Sequence, residues 1–151
     1  MKTVREILLN KGRNIWSVSP DSTVFDALKV MAEKSIGALL VIDDEGETVG
    51  IMSERDYARK IILLGKTSKE TQVKEIMSSN VIYVTPGRSC EECMALMTNK
   101  RIRHLPVLDN GKLIGFISIG DVVKAVLDEK EFVIDQLVHY IKDTPQLETA
   151  R

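Results

Sequence analysis

Residues 36–56 read IGALLVIDDEGETVGIMSERD, and residues 102–121 read IRHLPVLDNGKLIGFISIGD. Each is a short apolar run closing at Asp43 or Asp109, a turn holding Gly46 or Gly111, a second apolar run through Gly50 or Gly115, then Ser-x-x-Asp. An apolar run that ends on an acidic turn is the pattern of a buried strand. Glycine in the turn supplies φ > 0, and the returning run completes a hairpin. Ser53 and Ser118 then stand where a helix N-cap belongs. After one deleted loop residue, Gly50 matches Gly115, Ser53 matches Ser118 and Asp56 matches Asp121.

The match continues outward. Pro20 corresponds to Pro86, Ala27 to Cys93, Ile36 to Ile102 and Val41 to Val107. Short strands are expected at 15–18 and 81–84. Helices are expected at 23–33 and 89–99, where Val24, Ala27, Leu28 and Met31 and then Cys90, Cys93, Met94 and Met97 recur at i, i+3, i+4, i+7. Helical patterns follow each hairpin at 54–64 and 119–128. A short leading helix at 3–9, with Thr3 able to cap it, is echoed at 72–77, where Val73, Glu75 and Ile76 repeat Val4, Glu6 and Ile7. Each copy therefore runs helix, strand, helix, strand, strand, helix. The repeats are placed at 1–66 and 67–128, joined by the polar stretch 64–70, with a helix and tail at 129–151. One unit used twice is the economical reading, because neither copy can bury its apolar face alone. The tail helix over 130–142 has its own stripe, Ile134, Leu137, Val138 and Ile141. It serves either as a cap on the pair or as a self-association surface. The TPQLETAR end is expected to fray.

Bulk properties exclude several classes. The 151 residues suffice for one compact domain or two small halves sharing a core. A net charge of −1 gives no basic field for nucleic acid. No apolar run approaches the ~20 residues of a membrane span. MKTVREILLN lacks a signal-peptide core, so a cytoplasmic location is expected. Cys90 and Cys93 form C-E-E-C near a helix start, where a redox motif would sit. They also fill apolar positions of the helix, and packing is the preferred reading. No further Cys or His lies near enough to complete a metal site.

The chemistry concentrates in GIMSERD and GFISIGD. Glycine late in a strand admits a closely approaching group. Serine at a helix start places a hydroxyl beside unpaired N–H groups, which suits phosphate. Aspartate one turn on can accept both hydroxyls of a ribose diol. Plain helix capping explains a single Ser-x-x-Asp. Its recurrence after matched hairpins favours a ligand role for at least one copy. Arg55 and Arg59 add positive charge after Ser53, Arg being suited to phosphate.

These residues, with SVSPDSTVFDALKVM and YVTPGRSCEECMALM, resemble the cystathionine-β-synthase (CBS) domain, here as the tandem pair called a Bateman module. The resemblance covers nearly the whole chain apart from the C-terminal helix. It implies an α/β (α+β) fold of two pseudo-symmetric repeats packed through their sheets, with up to two clefts between them. It also implies adenine nucleotides as ligands: AMP, ADP, ATP, NAD or S-adenosylmethionine. Carried onto this chain, one cleft would take Ser53 for phosphate and Asp56 for ribose. Its adenine wall would be Ile82, Tyr83, Cys93 and Ile102 over Ile51, with Arg103 and His104 looking towards phosphate. The other would take Ser118 and Asp121, with Trp16, Ser17, Ser22, Ala27 and Ile36 around the base and Phe116 beneath. There Gly37 and Ala38 replace the Arg103–His104 pair. The function expected is a non-enzymatic energy- or redox-sensing module that modulates a partner, as a homodimer. The alternative is an interaction dimer with weak or no nucleotide binding. No nucleophile–base pair, P-loop or metal cluster suggests catalysis.

Overall fold

The computed structural model describes residues 1–143. The expected end at 144–151 lies outside the described residues. The fold is mixed α+β and forms two compact units. One comprises residues 14–83, the other residues 1–13 together with those from Val84 on. Each unit thus joins the hairpin of one repeat to the leading helix of the other.

In the 14–83 unit, β1 (Ser17–Val18) pairs parallel with β2 (Ala38–Ile42), which pairs antiparallel with β3 (Thr48–Ser53). Helix α2 (Val24–Lys34) begins at Thr23, whose hydroxyl accepts from the Asp26 N–H at 3.1 Å. Its period places Val24, Ala27 and Met31 in a core with Leu39, Val41, Met52 and Ile61. Val73 and Ile76 of the short helix α4 (Val73–Ile76) complete that core. The expected helix at 54–64 is split. Helix α3 (Glu54–Tyr57) gives way to one π-turn, Ala58–Ile62, closed by the Leu63 N–H on the Ala58 carbonyl at 3.3 Å.

In the second unit, α1 (Val4–Lys11) buries Val4, Ile7 and Leu8. Thr3 occupies its N-cap position, but its side chain makes no cap bond. Helix α5 (Cys90–Lys100) starts with a reciprocal Ser89–Glu92 capping box and buries Cys90, Cys93 and Met97. Strands β4 (His104–Asp109) and β5 (Lys112–Ser118) form a hairpin whose Asn110 and Gly111 both have positive φ, 51° and 79°.

Two expectations need correction. The strand at 81–84 reduces to a single parallel bridge, Val84 to Val107. In the first copy the Leu40 N–H donates to the Trp16 carbonyl at 3.4 Å. Pro106 holds the equivalent position and has no N–H to give, so the ladder stops. The helices at 119–128 and 130–142 are one element, α6 (Ile119–Asp143). The intervening DEKEF holds neither Gly nor Pro, so nothing interrupts the hydrogen-bond ladder. Its 25 residues span about 37 Å. No described helix is long and apolar enough to cross a membrane.

Candidate functional site

The two Ser-x-x-Asp elements have the same local geometry. Ser53 ends β3 and caps α3. Its N–H donates to Asp56 Oδ2 at 2.9 Å, and its hydroxyl accepts from the Asp56 N–H at 3.2 Å. Ser118 ends β5 and caps α6, with the matching distances 2.8 and 3.2 Å to Asp121. The first helical N–H in each case is taken by a carbonyl from across the hairpin. Glu54 donates to Gly37 O at 3.0 Å and Ile119 to Arg103 O at 2.8 Å. Of the initial N–H groups of α6, that of Gly120 remains for an outside acceptor.

The close approach expected at each late-strand glycine is present, and the approaching group is part of the fold. A Cβ on Gly115 would lie 2.6 Å from Leu8 Cδ2 of α1. A Cβ on Gly50 would meet Met77 Sδ at 2.6 Å and the Ser78 carbonyl at 2.9 Å. Ser78 also exchanges two backbone hydrogen bonds with Ile51, at 3.0 and 2.9 Å.

Each aspartate holds a lysine, and here the units differ. In the 14–83 unit, Asp56 Oδ2 takes both the N–H and the hydroxyl of Ser53, and Oδ1 takes Lys60 Nζ at 3.2 Å. Lys60 is anchored on the other side by the Ile76 carbonyl at 2.8 Å. Both carboxylate oxygens are therefore engaged. In the second unit, Asp121 Oδ2 takes Ser118 N–H and Lys11 Nζ, the latter at 2.6 Å. Lys11 also donates to the Phe116 carbonyl at 2.8 Å. Oδ1 of Asp121 keeps its lone pairs open to a further donor. Burial alone would raise the Asp121 pKa. Hydrogen bonds from Lys11 and the Ser118 N–H outweigh it and hold the carboxyl below its ordinary value. Neither lysine was singled out from the sequence. Lys11 lies in a different segment of the chain from its aspartate, so no local pattern marks it, whereas Lys60 stands four residues after Asp56.

The expected residues divide between the units. Trp16, Ser17, Ser22, Ala27, Ile36, Ile51, Ser53, Arg55, Asp56, Ile82 and Tyr83 belong to the 14–83 unit. Cys93, Ile102, Arg103, His104, Phe116, Ser118 and Asp121 belong to the other. Ala27 is fully buried in its unit's core. Trp16 is 38% exposed, with Lys34 Nζ 4.2 Å from its ring centroid. Arg55 and Arg59 are exposed. His104 lies directly across the hairpin from Ser118, where the first repeat has Ala38 opposite Ser53. Its ring stacks on Phe116, centroids 5.4 Å apart.

Arg103 and His104, both expected to look towards phosphate, differ in charge at neutral pH. Burial, with Lys11 and Arg103 adding to it against Asp121, pushes the His104 pKa down to about 4. The imidazole is a neutral aromatic surface, and Arg103 alone carries charge. Burial likewise pushes the Cys90 and Cys93 thiols up to about 11, which removes the thiolate that redox chemistry needs. No cluster of His, Cys, Asp and Glu able to hold a metal occurs among the described residues.

The family model described as CBS domain matches the chain twice, over residues 4–63 and 73–128. The chain is 40% identical over 149 residues to the CBS domain-containing protein CBSX3, mitochondrial, of Arabidopsis thaliana, covering 93% of this chain and 72% of that protein. It superposes with a TM-score of 0.81, at 57% identity, on a putative signal-transduction protein with CBS domains from Burkholderia ambifaria, covering 84% of this chain and 95% of that one. At 22% identity and a TM-score of 0.73 it shares the fold of the CBS domain pair of protein MJ0100, solved with 5′-methylthioadenosine and S-adenosyl-L-methionine. That match covers 85% of this chain and 98% of that one.

Proposed function

The chain belongs to the CBS-domain family, and from that premise we propose that it is a regulatory module whose Ser-x-x-Asp elements bind an adenosine-containing nucleotide. Occupancy is passed to a partner protein, with the module itself acting as a homodimer. The observation that carries the reading is the end of the β4–β5 hairpin. Asp121 Oδ1 faces no competing donor, Ser118 Oγ and the Gly120 N–H stand beside it, and the His104–Phe116 stack offers an aromatic surface. A ribose diol on Asp121, phosphate on Ser118 with the nearby Arg103, and a base against apolar surface use these groups in their ordinary chemistry. A neutral His104 favours a base or sugar over phosphate. The ligand class is AMP, ADP, ATP or NAD. That MJ0100 holds adenosine compounds on the same fold supports this class. Regulation follows if the ligand binds two arrangements of the protein with different affinity.

A second reading fits the other element. With both oxygens of Asp56 already bonded to Ser53 and Lys60, that copy is satisfied as a helix cap and binds weakly or not at all.

The test is calorimetric titration of AMP, ADP, ATP and NAD into protein stripped of carried-over ligand. Asp121→Ala is expected to weaken the best ligand by 10-fold or more, about the loss of one charge-assisted hydrogen bond. Asp56→Ala is expected to change it less. Absence of binding by all four nucleotides at millimolar concentration would overturn the reading.

A further inference from the structure

Helix α6 carries apolar residues on two faces, and the unit buries only the N-terminal part of one of them. Val122, Ala125 and Val126 are buried, and Glu129, on the same side, accepts the Lys2 N–H at 3.1 Å. Roughly a third of a turn away runs a second stripe: Val123, Leu127, Ile134, Leu137 and Val138. These are 38, 54, 57, 56 and 40% exposed. Single exposed hydrophobics need no explanation, but an aligned series does. Val123, Leu127, Lys130, Ile134 and Leu137 step by alternating four and three residues, the spacing of a helix-to-helix seam.

We propose that this stripe is the seam on which α6 of a second copy packs, antiparallel to the first. The argument for antiparallel order is Lys130. In a parallel pair in register, Lys130 would face Lys130 of the second copy, two like charges inside an apolar seam. Reversed, the stripe is complementary to itself. Leu127 meets Leu137 of the second copy, and Lys130 meets its Ile134. The aliphatic stem of Lys130 covers that Ile134, and its ammonium reaches Glu131 or Asp135 beside it. From Val123 to Val138 the seam is about 23 Å long. A helix face of that length buries on the order of 500 Å² per copy, close to the ~1,000 Å² total that a specific interface requires. The seam deepens the homodimer proposed above and is independent of any nucleotide.

Sedimentation equilibrium of the full chain at ~100 μM tests it. The expected mass is twice the 16.9 kDa of the chain. Leu137→Glu, at an exposed position, keeps the helical circular dichroism but weakens the dimer about 100-fold or more, because it enters the seam twice. Lys130→Leu strengthens it by removing charge from the seam. An oxidised mixture of Leu127→Cys and Leu137→Cys chains cross-links, while neither variant cross-links alone. A monomer at that concentration, as expected if residues 144–151 or another protein cover the stripe, overturns both the seam and the homodimer. A dimer unaffected by Leu137→Glu overturns the seam alone. Cross-linking of Leu137→Cys to itself overturns the antiparallel order.

Discussion

Gly115 and Gly50 lie under different neighbours, and the difference sets the cost of filling them. The atom nearest Gly115 is the tip of Leu8, a flexible side chain, whereas Gly50 faces the fixed Ser78 carbonyl as well. Gly115→Ala is expected to destabilise by about 1 kcal/mol and Gly50→Ala by about 3 kcal/mol, the range for overpacking. Leu8→Ala is itself costly, since Leu8 is buried, but combined with Gly115→Ala it should destabilise by less than the sum of the two single changes. Chemical unfolding of the four variants checks it, and a purely additive cycle would remove Leu8 as the cause. His104 makes a pH prediction. Its pKa is about 4 folded and about 6.5 unfolded. Between those values the unfolded chain binds more protons, so stability falls as pH drops from 6.5 to 4 and His104 contributes no further loss below. The full effect is on the order of 3 kcal/mol. Lys11, Arg103 and Asp121 surround the ring, and Asp121, whose pKa is lowered, adds its own loss at still lower pH. Thermal melts across pH 7 to 4 should show a shallower slope for His104→Gln than for the native protein.

At the scale of elements, α2 and α5 end alike. Ser35 and Arg101 both sit in the left-handed region at φ 55°, where the helix C-terminus is closed without a glycine. Arg101→Gly is expected to relieve about 0.5–1 kcal/mol of backbone strain, offset in part by unfolded-state entropy, raising the Tm by roughly 2 °C. A lowered Tm would show that the Arg101 side chain matters more than its backbone. The elements themselves were largely legible. The 3.6-residue period located α2 and α5 within a residue, and the Gly-bearing turns located both hairpins. The misread elements have local causes. Pro106 stops a ladder whose partner strand gives no sign of it, and the unbroken DEKEF carries α6 through a boundary drawn only because the repeat ends there.

At the scale of the whole molecule, the leading helices belong to the unit of the other repeat. Val4, Ile7 and Leu8 are 0, 5 and 2% exposed within the unit built mainly from residues 84 onward. At about 1.5–3 kcal/mol per buried aliphatic side chain, α1 contributes on the order of 6 kcal/mol, comparable with the stability of an entire domain. Removing residues 1–13 should therefore leave the second repeat without cooperative unfolding, seen as a broad melt and lost native chemical-shift dispersion. A sharp transition in the shortened chain would refute this.

The sequence by itself determined the repeat, both hairpins, the helices α2 and α5, the family and the paired Ser-x-x-Asp caps. All of these rest on periodicity, turn chemistry and local spacing, which act over a few residues. Only the tertiary structure decided which leading helix completes which unit, that Gly50 and Gly115 serve those segments, that Lys11 holds Asp121 and that His104 is neutral. Each of these depends on groups far apart in the chain, brought together by burial, and burial is a property of the packed fold and not of any stretch of sequence.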